Sequence, residues 1–270
     1  MPILTARDGH PLHFADEGEG SPIVLIHGWS AHGGFFGPQR VALQRGFRVV
    51  TPDLRGHRRS RCAGARPVLA DLADDLRELL DYLGLKDAIV VGWSMGGHVL
   101  FDYLQRHGNR RLGGVVIEDM SPRILNDDDW TLGIREGFNA EHNAVTVAAM
   151  RADWPAYAAA VTPRFFAEGG VRDPKLADWV TEQALDNDPE ILASLWRSMA
   201  EADYRDLLPD IDLPVMFAYG GQSQVYPAAT AAWQRDAVPG SRTACFEDSG
   251  HSPHLEEADA FTRMLAEFAG

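Results

Sequence analysis

The chain has 270 residues, 45% hydrophobic and 24% charged, with a formal net charge of −14 and a pI near 5.1. That length suits one large α/β domain or a domain carrying an insertion. The negative field repels phosphate backbones and anionic bilayer surfaces, which argues against nucleic-acid and membrane partners.

No apolar run approaches the length needed to cross a bilayer, and the opening stretch MPILTARDGHPLHF lacks the charged start, apolar core and small-residue cleavage site of a signal peptide. The two cysteines, Cys62 and Cys245, form neither a disulfide framework nor a CxxC motif. A reducing, cytoplasmic setting is the expectation.

In chain order, continuous apolar runs stand at IVLI (23–26), FRVV (47–50), AIVV (88–91), GVVI (114–117) and VMFA (215–218), followed by TACF (243–246). Continuity rather than alternation is the mark of strands covered on both faces. Between them, Leu69, Leu72, Leu76, Leu79, Leu80 and Leu83 recur at helical spacing before Gly84. Val99, Leu100, Tyr103 and Leu104 do the same over 95–106, ahead of Gly108. Strands alternating with helices predict a doubly wound, mostly parallel sheet.

Between Met120 and Pro214 the alternation stops. Short helical patterns there are separated by Pro155, Pro163, Gly169-Gly170, Pro174 and Pro189, and the stretch holds four of the seven tryptophans. The expected organisation is a core of residues 1–121 and 206–270, with residues 122–205 inserted as a helical cap over the carboxyl ends of the strands, where ligands bind in such sheets.

The segment AIVVGWSMGGHVLFDYL puts Gly92-Trp93-Ser94-Met95-Gly96 between a strand and a helix. A serine on such a sharp turn is held in strained geometry with its hydroxyl clear of the sheet, and the helix N-terminus below favours developing negative charge. Ser94 is the candidate nucleophile.

Four stretches, in this order, resemble the α/β-hydrolase fold family: LIHGW (25–29), PDLRGH (52–57), GWSMGG (92–97) and SGHSPHLEE (249–257). The resemblance covers nearly the whole chain outside the insertion and implies a cofactor-free enzyme. It implies an oxyanion hole made of the main-chain N–H groups of Trp29 and Met95, with His251 as the base that takes the Ser94 proton and returns it to the leaving group. His27 is expected to brace the oxyanion loop. HSPH offers His251 and His254 as a pair, but without HExxH spacing or a cysteine cluster no metal site is expected.

The orienting acid is absent from its usual place. In most of the family it follows the strand here read as VMFAYG, and matching Gly220 and Pro227 to that pattern puts Ser223 at the acid position. Asp119, in VVIEDMSPR at the end of the preceding strand, is the expected replacement, since a triad needs geometry and not a sequence position. Certain esterases and lactonases of the family carry the acid there. Glu118 is the nearest rival, and alternation along a strand lets only one of the two face His251. A plain structural role for both, capping the first turn of the insertion, is the bland alternative.

The candidate pocket residues are Trp29, His32, Trp93, Trp130 and Trp154. The leading function is hydrolysis of small carboxylic esters or lactones through an acyl-enzyme on Ser94. Haloalkane dehalogenases and epoxide hydrolases of the fold use an aspartate at the elbow, which Ser94 is not. Cofactor-independent dioxygenases of heteroaromatic rings share the acid position, although their elbow has histidine where this chain has Met95. A ligand receptor that retains a triad is a third class, and carbon–carbon bond hydrolysis and perhydrolysis use the same constellation.

Overall fold

The computed structural model describes residues 2–62, 64–170 and 173–270, so two positions of the expected cap, 171 and 172, lie outside the described residues. Eight strands form one sheet: β1 (Ile3–Thr5), β2 (Pro11–Glu17), β3 (Ser21–Ile26), β4 (Phe47–Pro52), β5 (Ala88–Trp93), β6 (Leu112–Glu118), β7 (Val215–Gly220) and β8 (Arg242–Phe246). Their order is β1-β2-β4-β3-β5-β6-β7-β8. The pairs β1–β2 and β2–β4 are antiparallel and all others parallel. The fold is the expected doubly wound, mostly parallel sheet.

Among the described residues, the α-helices outside the expected cap are α1 (Gly37–Leu43), α2 (Leu69–Tyr82), α3 (Met95–His107), α8 (Ala228–Ala237), α9 (Pro253–Glu256) and α10 (Ala258–Ala269), and four more lie between β6 and β7. Pleating divides the apolar runs between two layers. Val24, Ile26, Val90 and Ile117 face α2 and α3, where the leucine stripe of α2 is buried; Ile23, Leu25, Val91 and Val116 face the side packed by Leu43, Phe261 and Leu265 of α1 and α10. Each such fully buried side chain contributes about 1.5–3 kcal/mol. Strands sandwiched in this way have no polar face, and for that reason their runs are continuous.

The antiparallel edge, β1 and β2, has no counterpart among the apolar runs. Three-residue β1 buries only Leu4, and β2 mixes Pro11, His13 and Asp16 with its buried positions, so neither carries a readable pattern.

The insertion contributes α4 (Ala140–Ala152), α5 (Trp154–Val161), a 3-10 turn at Thr162–Phe165, α6 (Pro174–Leu185) and α7 (Pro189–Glu201). The prolines that punctuate the sequence start helices. Asp153, Asp173 and Asp188 accept main-chain N–H bonds as N-caps, and Pro155, Pro174 and Pro189 follow within the first turn, where a missing N–H costs nothing. Among the described residues of this stretch the only strand-like pairing is an isolated bridge between Asp127 and Trp130. Met150, Ala158, Leu195 and Met199 belong to the same buried cluster as α2, α3 and the sheet face they cover, while Phe165, Phe166 and Val180 join the cluster on the other face. Among the described residues no helix is long and apolar enough to cross a membrane.

Several histidines are wholly buried. Burial lowers His57 and His98 to a pKa of about 4, and His27 well below the usual value. His98 therefore stays neutral and bonds the Ser121 carbonyl through Nε2 at 2.8 Å. The unfolded chain takes up protons on these rings from about pH 6.5 downward while the folded chain does not, so stability is full above that pH and falls as the pH drops toward 4. Denaturant unfolding measured from pH 7.5 to 4.5 is expected to show this decline. His98→Gln, which keeps a donor for Ser121, flattens the slope by up to about 1.4 kcal/mol per pH unit; an unchanged slope would show that His98 carries none of it.

Candidate active site

Ser94 sits at φ 51°, ψ −119° between β5 and α3. A non-glycine residue there costs about 1–3 kcal/mol and persists only where its surroundings enforce it. Two bonds do so: Ser94 N–H donates to the Glu118 carbonyl at 2.9 Å, and Gly97 N–H donates to the Ser94 carbonyl at 2.7 Å. The flanking glycines admit the approach. A Cβ on Gly92 would lie 2.3 Å from the Gly96 carbonyl oxygen, and one on Gly96 would lie 2.5 Å from that of Ile26. Any side chain at either position would push the turn off the sheet.

The loop after β3 packs directly on this turn, since a Cβ on Gly28 would stand 3.1 Å from the Ser94 Cβ. His27 staples the loop to the segment after β4: one ring nitrogen bonds the Gly28 carbonyl at 2.8 Å and the other accepts the Leu54 N–H at 2.9 Å. Neutral imidazole has one donor and one acceptor to match these partners, and burial keeps the ring neutral. Among the described residues the main-chain N–H groups of Trp29 and Met95 have no hydrogen-bond acceptor. Met95 opens α3, so its N–H belongs to the positive end of that helix.

On the other side, His251 Nδ1 lies 2.6 Å from Asp119 Oδ2, and both side chains are buried. The same Oδ2 accepts a hydrogen bond of 2.7 Å from Ser223 Oγ. Ser223 Oγ in turn accepts the N–H groups of Val225 and Tyr226 at 3.2 Å each. The serine at the family's usual acid position thus serves as a donor to the carboxylate that stands one strand away. Asp119 occupies the left-handed region at φ 42°, which aspartate tolerates better than most residues, and its N–H is fixed on the Ala218 carbonyl at 2.8 Å.

Glu118 turns to the opposite face. Its Oε1 accepts the His254 main-chain N–H at 3.0 Å and lies 2.8 Å from His254 Nδ1, with both side chains fully buried. His254 packs between Phe36 and Trp93, and the Trp93 indole N–H donates to the His251 carbonyl at 2.7 Å. The histidine loop has two further anchors. Glu256 accepts the N–H groups of Gly250 at 2.7 Å and Ala167 at 2.8 Å, and Glu257 accepts the Ser249 hydroxyl at 2.7 Å. Burial raises the Glu256 pKa. These two glutamates stood in SGHSPHLEE without any spacing to mark them as braces.

Ser94 and His251 border one cavity of about 120 Å³ beneath the inserted helices. Ser94 Oγ makes no hydrogen bond among the described residues, a looseness common before substrate closes such a site. Of the residues expected in the pocket, Trp29 and Trp93 line this cavity, and His32, Trp130 and Trp154 do not. His32 is bonded to Gln183 at 3.0 Å and caps the 3-10 turn at Gly33–Phe36. Trp130 packs edge-on against Trp233 and donates to the Arg123 carbonyl at 2.9 Å. Trp154 stands one layer back, edge-on against Trp29 at 5.5 Å. The insertion supplies Tyr157, Arg164, Phe165 and Trp196 in their place. Among the described residues no cluster of three or more His, Cys, Asp or Glu side chains is arranged to hold a metal.

A strained serine elbow, a buried histidine–carboxylate pair and a cavity over the strand ends define a class, and the comparison with known families agrees: residues 21–258 match the model for the alpha/beta hydrolase fold, and the chain belongs to that family. It is 30% identical to a non-heme chloroperoxidase, CPO-A1, of Kitasatospora aureofaciens, over 99% of both chains. It is 29% identical to a pimeloyl-[acyl-carrier protein] methyl ester esterase of Vibrio cholerae, over 96% of this chain and 98% of that one. Among solved structures, an esterase from Exiguobacterium antarcticum superposes with a TM-score of 0.92 at 26% identity, covering 99% of this chain and 98% of the other.

The shared oxygen of Asp119 makes a specific expectation. If Asp119 orients His251 for ester hydrolysis, Asp119→Asn is expected to lower kcat for a short aryl ester by about 10³–10⁴-fold, because it removes the charge and favours the wrong imidazole tautomer. Ser223→Ala costs about tenfold, one hydrogen bond to a charged group. Adding Ser223→Asp to Asp119→Asn is expected to restore part of the loss, since residue 223 already bonds the oxygen that lies against His251 Nδ1. Steady-state kinetics on variants with unchanged circular dichroism check this. Near-full activity of Asp119→Asn would move the acid elsewhere, with Glu118 the next residue to test.

Proposed function

We propose that the protein hydrolyses small carboxylic esters or lactones through an acyl-enzyme on Ser94. The observation that carries this reading is the 2.6 Å contact between His251 Nδ1 and Asp119, which leaves the other ring nitrogen on the side of the cavity that Ser94 shares. His251 takes the Ser94 proton as Oγ attacks the carbonyl carbon. The carbonyl π pair moves onto oxygen, where the Trp29 and Met95 N–H groups receive it, each donor stabilising the transition state by about 3 kcal/mol. Collapse expels the alkoxide, which takes the proton from His251. Water then repeats the sequence on the acyl-enzyme and releases the acid and free Ser94. In a lactone the expelled alkoxide stays tethered to the acyl group, so the product is one hydroxy acid.

A second reading is supported by the 30% identity to a chloroperoxidase. Hydrogen peroxide can replace water in the second half, and its attack on the acyl-enzyme gives a peracid in place of the acid. The same Ser94, His251 and Asp119 serve both outcomes.

Rapid mixing with an aryl acetate is expected to show a burst of phenolate, and quenching during the burst leaves an acetyl group on the peptide that carries Ser94. Ser94→Ala lowers kcat by about 10³–10⁶-fold. Retained hydrolysis in Ser94→Ala overturns the acyl-enzyme. If no ester or lactone is turned over while a heteroaromatic substrate consumes dioxygen, the oxygenase reading replaces it.

A further inference from the structure

Apart from His251, the ionisable groups on the cavity wall are Tyr157, Tyr226 and Arg164, and no acidic side chain lines it. Arg164 belongs to the 3-10 turn Thr162–Phe165 and is half-buried. One of its N–H groups donates to the Gln224 carbonyl at 2.9 Å. A guanidinium has five donors in a planar fork, and among the described residues no carboxylate pairs with this one. The chain has 39 acidic against 25 basic residues, and other arginines of low exposure have carboxylate partners: Arg55 with Asp75, Arg77 with Asp81, Arg123 with Asp203. Arg164 is set apart from them by its place between an apolar cavity and the outer groove that shares Ile134 and Arg164 with it.

An unpaired cation on an apolar wall favours an anion there more strongly than the same cation in water would, because the medium screens the attraction less. Besides Arg164 the outer groove carries Arg135 against Glu136 and Glu168, one cation against two carboxylates, so the groove does not itself attract an anion and the preference belongs to the cavity side of Arg164. A planar guanidinium matches a carboxylate with two parallel bonds. From this we infer that the substrate carries, besides its scissile ester or lactone, a carboxylate at the far end of a short apolar spacer, held by Arg164 while the carbonyl lies at Ser94. Monoesters of dicarboxylic acids and lactones with a carboxylate arm have this form. Arg164 is a specificity-determining residue on this account. The inference rests on the ester-hydrolase reading for its chemistry, but the carboxylate site itself can be measured without turnover.

The test compares kcat/KM for the monomethyl esters of glutaric and adipic acid with that for the methyl esters of the monocarboxylic acids of equal chain length. The expected ratio in the intact protein is about 10- to 100-fold in favour of the carboxylates, the value of one charge-assisted hydrogen bond. It resides mainly in KM and shrinks as salt is added. Arg164→Gln brings the ratio close to one, and Arg164→Lys, a point charge without the fork, recovers part of it. A merely structural Arg164, acting through Gln224, would lower both rates together and leave the ratio intact. A ratio near one in the unmodified protein, or one that survives Arg164→Gln, overturns the inference while ester hydrolysis stands. If neither class is turned over, the function reading fails, and calorimetric titration with monomethyl adipate decides the site separately. Binding that Arg164→Gln abolishes upholds it, and no binding, or binding indifferent to the substitution, overturns it.

Discussion

The end of β6 imposes the constraint on which the site depends. The last residue of β6 and the one that follows it are both carboxylates with a buried histidine each: Glu118 beside His254 on one side of the sheet, and Asp119, turned by its left-handed backbone, beside His251 on the other. The two histidines are three residues apart, His251 in the loop after β8 and His254 in α9, so this segment is gripped from both faces of the sheet. Trp93 joins the two grips, packing on His254 and bonding the His251 carbonyl. Removing one partner of a fully buried pair leaves a polar group with neither water nor counterpart, a cost well above that of a surface contact. The position of the imidazole is therefore set by burial on both sides and does not depend on its bond to Asp119 alone.

Backbone strain follows the same geography. Ser30, Ser94 and Asp119 all have positive φ and lie just beyond the carboxyl ends of β3, β5 and β6. Each is held by contacts from a different part of the molecule. Asn187 of the insertion donates to the Ser30 carbonyl at 2.9 Å, Glu118 accepts the Ser94 N–H, and Ala218 of β7 accepts the Asp119 N–H. Strain of this kind survives only when the rest of the fold over-determines it, so the sheet's close packing is what allows a serine hydroxyl and a carboxylate to be presented at fixed points over its edge.

Much of this is legible in the amino-acid sequence. Strands buried on both faces have to be apolar throughout, and β3 to β7 announced themselves for that reason, as did α2 and α3 through their stripes. The glycines around Ser94 and the missing acid at Ser223 were visible because each is a local departure with one physical cause. What the sequence did not disclose depends on contacts between distant segments. Nothing in a tryptophan's neighbours tells whether it faces a cavity, as Trp196 does, or the layer behind it, as Trp154 does. The bracing by Glu256 and Glu257 and the position of Arg164 are of the same kind. The edge strands β1 and β2 were unreadable for another reason, since a short half-exposed strand has too few buried positions to set a period.

With the carboxylate beside His251 supplied from just beyond β6, the loop after β7 has other partners. A loop obliged to present an aspartate to His251 has its conformation dictated by that charge. Here residues 220–227 are free of it. Ser223 donates to Asp119, Val225 and Tyr226 line the cavity, and the Gln224 carbonyl holds Arg164 of the insertion. Gln224 also reaches the Phe166 carbonyl at 3.0 Å through its side-chain amide. One short loop thus touches the acid, the wall and the inserted helices at once.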